Sequence, residues 1–342
     1  MDLLGTKLFQ HKECVVEFKD QRIVVAGASG FIGSHLLEYL CQSGATVLAL
    51  ARNIERMVNV HCQGKLQLVS CDLSDRDLVM PLMREFNPNI VFHLASQPDA
   101  EEGFDQANLT LGVNAHCTLN LLEGFAECPG AEVFVYGDST KVYGGAGAPY
   151  SSQTPVIPNS SYAISKAAGW YYCDLFGRLN PFNAISIRPT LVYGPRQAWN
   201  LLEYVLESIE KGVSVIELQG GEQTRAPLFV ADAVSAYIAA VKRARGVHGQ
   251  VINVGGAEEM SVTDIARLVV ELSGSGISVT ESLAARTTEI QRAVADLEEA
   301  NSQLDWQPVV SLREGIRVLL RERNIDAEQI AKRAVRKRRA IV

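Results

Sequence analysis

Tyr162 and Lys166 stand four residues apart, and this pair is the clearest chemical signature in the sequence. A helix places residues four apart on one face, so the two side chains are predicted to lie together. A phenol has a pKa of about 10, and a neighbouring ammonium favours the phenolate and lowers that pKa. Ser139, further upstream, offers a hydroxyl that would hold a substrate alcohol against the phenol. We therefore predict that Ser139, Tyr162 and Lys166 are catalytic residues that remove the proton of an alcohol.

A glycine-rich segment, GASGFIG at 27–33, offers a place for a cofactor that takes the hydride. It joins an apolar strand predicted over 22–26 to a helix predicted over 32–41, an order typical of dinucleotide sites. The glycines let the backbone approach a pyrophosphate, and the helix N-terminus presents free N–H groups and the positive end of its dipole. A purely structural turn is the alternative. The predicted dinucleotide contacts in this segment are Gly27, Ser29, Gly30, Phe31, Ile32 and Gly33.

Arg52 bears on the choice between the two nicotinamide dinucleotides. Enzymes that use NAD commonly place Asp or Glu after the second strand, where the acid binds the ribose diol. Here the predicted strand 46–50 is followed by Ala51, Arg52 and Asn53, with no acid before Glu55. An arginine there would bind the 2′-phosphate of NADP, although it could instead stack on adenine or face water. The cofactor is predicted to be NADP or NAD, with NADP favoured.

Further cofactor contacts are predicted at the ends of later strands. Asp72 follows the third strand, where a carboxylate can accept a hydrogen bond from the adenine amino group. His93 ends the fourth strand and is interpreted as a packed structural histidine. Asn114 is expected to support the lysine or the cofactor, unless it is an ordinary helix residue. The predicted contacts outside the glycine segment are Arg52, Asp72, Leu73, Leu94, Ala95, Ser96, Asn114, Tyr162, Lys166 and Pro189.

Strands and helices alternate along most of the chain. The predicted strands are apolar runs without polar alternation, which is typical of a parallel sheet covered by helices on both faces. After about residue 189 the pattern changes, so a smaller region is expected to interleave with the first. Four parts are predicted: an N-terminal extension at 1–20, a dinucleotide-binding domain at 21–190 with returning segments at about 230–256, a mainly substrate-binding region at 191–330, and a basic tail at 331–342.

Composition is that of an ordinary globular protein. Of the 342 residues 47% are hydrophobic and 21% charged, and the net charge of −7 argues against a nucleic-acid partner. The sequence has no apolar run of about 18 residues and no secretory pattern at its start, so a cytoplasmic location without a membrane span is expected. The seven cysteines contain no C-x-x-C pair and the six histidines no H-x-x-x-H pair, which predicts reduced thiols and no metal site. The basic tail is interpreted as a solvated helix end, with a tail for a nucleic acid or an acidic partner as the alternative.

Taken together, these residues resemble the extended short-chain dehydrogenase/reductase family, in its nucleotide-sugar epimerase and dehydratase group, over about residues 21–320. The resemblance implies a Rossmann-like doubly wound parallel sheet with a smaller, interleaved C-terminal α/β substrate domain. It also implies a homodimer through helices at 106–127 and 162–179. In the family's terms Tyr162 is the acid/base, Lys166 its electrostatic helper and ribose anchor, and Ser139 the partner of the substrate hydroxyl. The matching motifs are the glycine loop, Asp72-Leu73, His93-Leu94-Ala95, Asn114, 139–144, Tyr162 with Lys166, Arg188-Pro189, Tyr193-Gly194-Pro195 and 304–308.

The resemblance further implies a nucleoside-diphosphate sugar as the substrate. Arg225 matches an arginine that clamps the diphosphate, a duty that suits its planar fork of donors, and Asn200 matches an asparagine that contacts the nucleotide. Arg286 or Arg292 would add a second clamp, or else form surface salt bridges. Leu191 departs from the asparagine that the family often has. The predicted substrate contacts are Gln97, Thr140, Lys141, Asn200, Arg225, Arg286 and Arg292.

The residues after Ser139 bear on the reaction, whose implied first step is oxidation of the sugar at C4. A 4,6-dehydratase needs a further acid or base, usually carried just after the serine, whereas this chain has Thr140 and Lys141. We predict an NAD(P)-dependent nucleotide-sugar epimerase. The alternatives are an NADPH-dependent 4-keto-sugar reductase, toward which Arg52 leans, and a nucleotide-sugar 4,6-dehydratase, with a non-catalytic dinucleotide-binding protein as a distant one. Lys141 also resembles a lysine of some CDP-sugar enzymes.

Overall fold

The computed structural model describes residues 18–57, 60, 62, 64–97, 103–197, 200–244, 248–283 and 289–325. Most of the predicted N-terminal extension, the predicted basic tail and Arg286 lie outside these residues. Within the described ranges, none of the helices has the length and apolar character needed to cross a membrane. The same residues contain no cluster of three or more acidic, histidine or cysteine side chains that could hold a metal ion.

The strands, in chain order, are β1 (Arg22–Ala26), β2 (Thr46–Ala51), β3 (Lys65–Ser70), β4 (Ile90–His93), β5 (Val133–Gly137), β6 (Asn183–Pro189), β7 (Val192–Tyr193), β8 (Val215–Gln219), β9 (Thr224–Arg225), β10 (Leu228–Phe229), β11 (Gln250–Val254), β12 (Met260–Ser261), β13 (Ser278–Leu283) and β14 (Arg292–Ala293). Seven of them form the central parallel sheet, in the order β3-β2-β1-β4-β5-β6-β11. The chain reverses its direction of travel across the sheet between β1 and β4, and ligands of such sheets bind beside the carboxyl ends of the strands at this point.

Helices cover both faces of the central sheet, because alternate strand residues point to opposite sides and most of them are apolar. In β1, Ile23 and Val25 pack into one core, while Val24 and Ala26 pack into the other. The predicted α/β class with a Rossmann-like doubly wound sheet is thereby confirmed. The helices, in chain order, are α1 (Phe31–Gln42), α2 (Arg76–Phe86), α3 (Phe104–Thr110), α4 (Cys117–Ala126), α5 (Ser161–Leu179), α6 (Leu201–Lys211), α7 (Val230–Ala244), α8 (Val262–Ser273), α9 (Leu297–Leu304) and α10 (Leu312–Glu322).

The two faces of the sheet take helices from different parts of the chain. Helices α1 and α7 contribute to the first core, and α2, α4 and α5 contribute to the second. A π-helical segment, Leu111–His116, joins α3 to α4 without a break. These placements put the N-terminus of α1 and the first turn of α5 beside the carboxyl ends of the central strands.

A smaller region with its own core interleaves with the sheet domain. Helices α6, α8 and α10 share this core through residues such as Leu202, Ile265 and Ile316, all fully buried. Strand β8 pairs with β13, and β9 lies between β12 and β14. The chain returns to the sheet domain at α7 and β11, and again at α9, which packs on the first core.

Candidate active site

A cavity of about 720 Å³ lies at the carboxyl ends of β1, β4, β5 and β6, bounded on one side by residues of the smaller region. Parallel sheets of this order bind ligands at this edge. The structure brings most of the predicted site residues into the wall of this one cavity. The predicted residues that line it are Ser29, Gly30, Phe31, Ile32, Gly33, Leu94, Ser96, Ser139, Thr140, Lys141, Tyr162, Lys166, Pro189 and Arg225.

The glycine loop at one end of the cavity has a backbone that suits a pyrophosphate. Gly27 has a φ of +87°, and a Cβ there would lie 2.5 Å from the Ala95 nitrogen. A Cβ on Gly33 would lie 2.2 Å from the carbonyl oxygen of Gly27. Among the described residues no side chain caps the N-terminus of α1, which leaves N–H groups and the positive dipole end for an anion. The residues present therefore fit a dinucleotide.

Tyr162 lies in the first turn of α5 and lines the cavity. The Ser160 hydroxyl begins this helix by accepting a hydrogen bond from the Ala163 N–H at 3.2 Å. Burial raises the pKa of the Tyr162 phenol to about 12, and the hydroxyls of Ser96 and Ser139 act to lower it. The phenol is thus flanked by hydroxyls from two different strand ends.

Lys166 is buried one helical turn from Tyr162, and its effect on the phenol pKa stays a prediction. Its ammonium donates a hydrogen bond to the Gly137 carbonyl and lies 4.4 Å from the centroid of the Tyr136 ring. Burial lowers the pKa of Lys166 itself to about 8, although the Asp138 carboxylate acts to raise it. A buried ammonium must be hydrogen-bonded, and the carbonyl at the end of β5 meets this need.

Asn114 connects the loop after β4 to the first turn of α5. Its side chain accepts a hydrogen bond from the Gln97 N–H at 2.8 Å and donates one to the Ser165 hydroxyl oxygen at 2.9 Å. The Ser165 hydroxyl in turn donates to the Tyr162 carbonyl at 2.7 Å. These bonds tie the loop after β4 to the helix of Tyr162, and the predicted support of the lysine or the cofactor stays a prediction.

Asp138 and Arg188 form a buried ion pair that we did not predict as part of the site. Arg188 Nε donates to the Asp138 carboxylate at 2.6 Å, with the two side chains 4% and 0% exposed. The carboxylate also accepts hydrogen bonds from the Ser139 N–H at 2.8 Å and the Ser186 hydroxyl at 3.0 Å. It therefore fixes the backbone at Ser139. In the sequence, a charged residue directly after an apolar strand and directly before the serine could have indicated that Asp138 belongs to the site.

Comparison with known proteins now identifies the family, because the model of the NAD dependent epimerase/dehydratase family matches residues 23–255. The chain belongs to this family. A UDP-glucose 4-epimerase of Mycolicibacterium smegmatis is 33% identical over 305 residues, which cover 86% of this chain and 96% of that protein. A human dTDP-D-glucose 4,6-dehydratase is 27% identical over 321 residues, with 87% and 88% covered. The crystal structure of a UDP-glucuronic acid 4-epimerase from Bacillus cereus, in complex with UDP-glucuronic acid and NAD, has a TM-score of 0.79 at 26% identity, with 86% and 96% covered.

Membership in the epimerase/dehydratase family confirms the predicted enzyme class and the extended short-chain dehydrogenase/reductase group. It also establishes the dependence on a nicotinamide dinucleotide at the level of the family. The relatives include epimerases and a dehydratase, so the family alone leaves the reaction and the sugar to be argued from the site.

Arg225 lines the cavity of this family member, where it is already paired. Its guanidinium donates to the Glu289 carboxylate and, at 2.8 Å, to the Thr224 carbonyl. Burial lowers the pKa of Arg225, and Glu289 acts in the opposite direction. Glu289 also lines the cavity and was not predicted, since no pattern in the surrounding sequence marks it. A diphosphate at Arg225 must therefore compete with this carboxylate.

Arg292 and Asn200 lie outside the cavity wall. The Arg292 guanidinium binds both oxygens of Glu259, at 2.8 and 2.9 Å, and the Ala148 carbonyl at 2.8 Å. These contacts match the surface salt bridge that we left open as the alternative to a substrate clamp. Asn200 accepts a hydrogen bond from the Glu203 N–H at 3.1 Å and so caps α6.

Arg52 and Asp72 lie at the carboxyl ends of β2 and β3, beside each other and beyond the cavity wall. Hydrogen bonds from Ser74 lower the pKa of the Asp72 carboxyl, and the Arg52 charge adds to this effect. Leu73 is buried in the second core. The two charged side chains stand on the same edge of the sheet as the glycine loop, where the adenosine half of a dinucleotide would extend.

Proposed function

We propose that the protein is a nucleotide-sugar 4-epimerase, which oxidises and then re-reduces a hexose at C4. The observation that carries this proposal is that the carboxylates in the cavity wall are paired with arginines. Within its described residues these are Asp138 and Glu289, and each is bound to an arginine. Neither is available to move a proton at C5 or to expel a C6 hydroxyl, as a 4,6-dehydratase must.

Thr140 and Lys141, which follow the predicted catalytic serine, support the same choice. The Thr140 hydroxyl donates to the Pro189 carbonyl at 3.1 Å, and so it is engaged with the backbone. The Lys141 ammonium lies 5.4 Å from the centroid of the Tyr162 ring. A hydroxyl and an ammonium occupy the positions where a dehydratase would need an acid, whereas an epimerase needs no acid there.

The roles in the proposed reaction follow from the positions of the side chains. A bound nicotinamide dinucleotide supplies the acceptor and donor of hydride at C4. Tyr162 would take the C4 hydroxyl proton on its phenol oxygen and return it, with Ser139 holding that hydroxyl. The glycine loop and the N-terminus of α1 would hold the cofactor pyrophosphate, and Arg225 would bind the substrate diphosphate.

A 4-keto-sugar reductase is the second candidate. Arg52 favours it because such a reductase would use NADPH, whose 2′-phosphate an arginine can bind. Its side chain is exposed at the end of β2, where a 2′-phosphate would meet a positive charge. We therefore propose NADP as the preferred cofactor. Fluorescence titration with NADH and NADPH tests this, and a clear preference for NADH would remove the role given to Arg52.

Turnover with defined nucleotide sugars distinguishes the reactions. UDP-, GDP-, CDP- and dTDP-sugars are each mixed with either cofactor and followed by NMR, with UDP-sugars first because relatives carry UDP-glucose in their names. An inverted C4 centre is expected. Stoichiometric consumption of NADPH by a 4-keto sugar would favour the reductase, and a 4-keto-6-deoxy product would overturn the proposal. Tyr162→Phe should abolish turnover and retain cofactor binding.

We also propose a homodimer through the surface formed by α3, the π-helical segment and α5. These elements pack on one another within the chain and leave apolar side chains exposed, which in a monomer would be costly. The side chains concerned are Leu109, Leu111, Ile164, Tyr171, Leu175 and Leu179. A second copy of the same surface would cover them, as the family resemblance implies.

A further inference from the structure

Ser96 is a residue whose position the dinucleotide role does not explain. It follows β4, lines the cavity and lies beside the Tyr162 phenol. Its hydroxyl oxygen is buried and forms no well-aligned hydrogen bond within the described residues. Buried hydroxyls normally have a partner, because an unsatisfied one costs free energy. The nearby phenol is a group that could supply that partner.

The register of the sheet places Ser96 and Ser139 as equivalents. Strands β4 and β5 are adjacent and parallel, with His93 opposite Tyr136. Ser96 stands three residues beyond His93, and Ser139 stands three residues beyond Tyr136. Both hydroxyls therefore leave the same edge of the sheet from neighbouring strands, and the phenol lies near both.

The loop that carries Ser96 is held against the helix that carries Tyr162. The Gln97 backbone is bound on both its N–H and its carbonyl by the Asn114 side chain, at 2.8 and 3.4 Å. Asn114 also binds Ser165, which binds the Tyr162 carbonyl. This chain of hydrogen bonds fixes the distance between the serine and the phenol through the backbone of both elements.

We propose that Ser96 is a second hydroxyl partner of the Tyr162 phenol and that it stabilises the phenolate formed when Tyr162 gives up its proton. The Lys166 ammonium donates to the Gly137 carbonyl, and the Ser96 hydroxyl would add a neutral donor to the groups that stabilise the phenolate. A hydrogen bond to an ionised oxygen is shorter and stronger than one to a neutral phenol, and the contact is therefore expected to tighten on ionisation. The inference rests on the proposed function, which assigns proton transfer to Tyr162.

Direct titration of the phenol tests this role without any knowledge of the sugar. The near-ultraviolet absorbance of phenolate is recorded against pH, and the same titration of Tyr162→Phe is subtracted to remove the other tyrosines. NAD⁺ and NADP⁺ are added in separate arms, since a pyridinium cation near the phenol favours phenolate. Ser96→Ala should raise the pKa of Tyr162 by about one unit, a roughly tenfold loss of phenolate at a given pH. Ser96→Thr keeps the hydroxyl and should leave the pKa close to that of the wild type.

Two outcomes would overturn the inference: an unchanged pKa in Ser96→Ala, or equal shifts in Ser96→Ala and Ser96→Thr. Circular dichroism verifies that each variant is folded. If Ser96→Ala does not fold, Ser96→Cys provides the comparison, because its thiol is a weaker donor of similar shape, and it should raise the pKa by less than one unit but measurably. Failure of the proposed function is distinct, because then neither dinucleotide would lower the phenol pKa in the wild type.

Discussion

Replacement of Lys166 by methionine should stabilise the protein while removing turnover, because the phenol of Tyr162 would lose its predicted cationic neighbour. The side chain is 1% exposed, and burial lowers its pKa from 10.5 to about 8. A shift of this size corresponds to about 3 kcal/mol by which the fold disfavours the charged lysine at pH 7. The contacts with the Gly137 carbonyl and the Tyr136 ring offset part of this penalty, so we expect Lys166→Met to gain about 2 kcal/mol.

The pH dependence of this gain follows from the direction of the pKa shift. Between pH 8 and 10.5 the unfolded chain binds a proton on Lys166 that the folded protein has released, so the wild type becomes more stable as pH rises. The penalty is present in full below pH 8 and disappears as pH approaches 10.5. The difference between wild type and Lys166→Met should therefore fall by about 2 kcal/mol from pH 7 to pH 10.

Urea unfolding at pH 7, 8, 9 and 10, followed by tryptophan fluorescence, measures this difference. Cysteine and tyrosine ionisation also affects stability in this range, and it cancels between the two proteins for groups that do not interact with Lys166; Cys173, which does, is replaced by alanine in both proteins. Lys19→Met, at an exposed position, is the matched control and should show no such trend. A Lys166→Met variant less stable than the wild type at pH 7, or a difference constant with pH, would refute the reasoning.

Three further predictions concern the ion pairs and the exposed helices. Asp138→Asn should destabilise the protein by about 3–5 kcal/mol in urea, because the buried Arg188 charge loses its partner, and a change within error would contradict this. Arg225→Ala should weaken UDP binding at least about tenfold by calorimetry, whereas the matched Arg292→Ala should not; equal losses would place the diphosphate elsewhere. Tyr171→Arg should convert a dimer into a monomer in light scattering, and an unchanged mass would exclude this surface.

The central sheet could be predicted from the sequence because its strands are unbroken apolar runs. The expected strand at 22–26 coincides with β1, and the strand expected at 46–50 differs from β2 by one residue. The two-residue strands such as β9 and β12 were missed, because pairs of this length have no periodicity and exist through their tertiary partners. The helix at 106–127 that the resemblance implies corresponds to three consecutive segments, α3, the π-helical segment and α4, which together run from Phe104 to Ala126.

Site residues could be predicted where they belong to a motif with a fixed spacing in the sequence. Contacts between residues that only the tertiary fold brings together could not. The glycine loop and the pair formed by Tyr162 and Lys166 are local patterns, and the fold brings them to one cavity. The hydrogen bond from the Lys166 ammonium to the Gly137 carbonyl was not predicted, because helical spacing does not reveal a carbonyl at the end of a strand. Glu289 reaches Arg225 from 64 residues away in sequence, through a contact made by the tertiary fold.

The charge state of Tyr162 links the separate features of this cavity. Asp138 and Glu289 are engaged by arginines, and the phenol is the proton acceptor that we propose among the described residues of the wall. Burial alone makes it a poor one, because it raises the phenol pKa to about 12. Hydroxyls at the ends of β4 and β5 offset part of that effect, and a pyridinium cation bound beside the glycine loop would offset more. Proton removal should therefore become effective when the dinucleotide is in place, so that the alcohol loses its proton where an acceptor for the hydride is present.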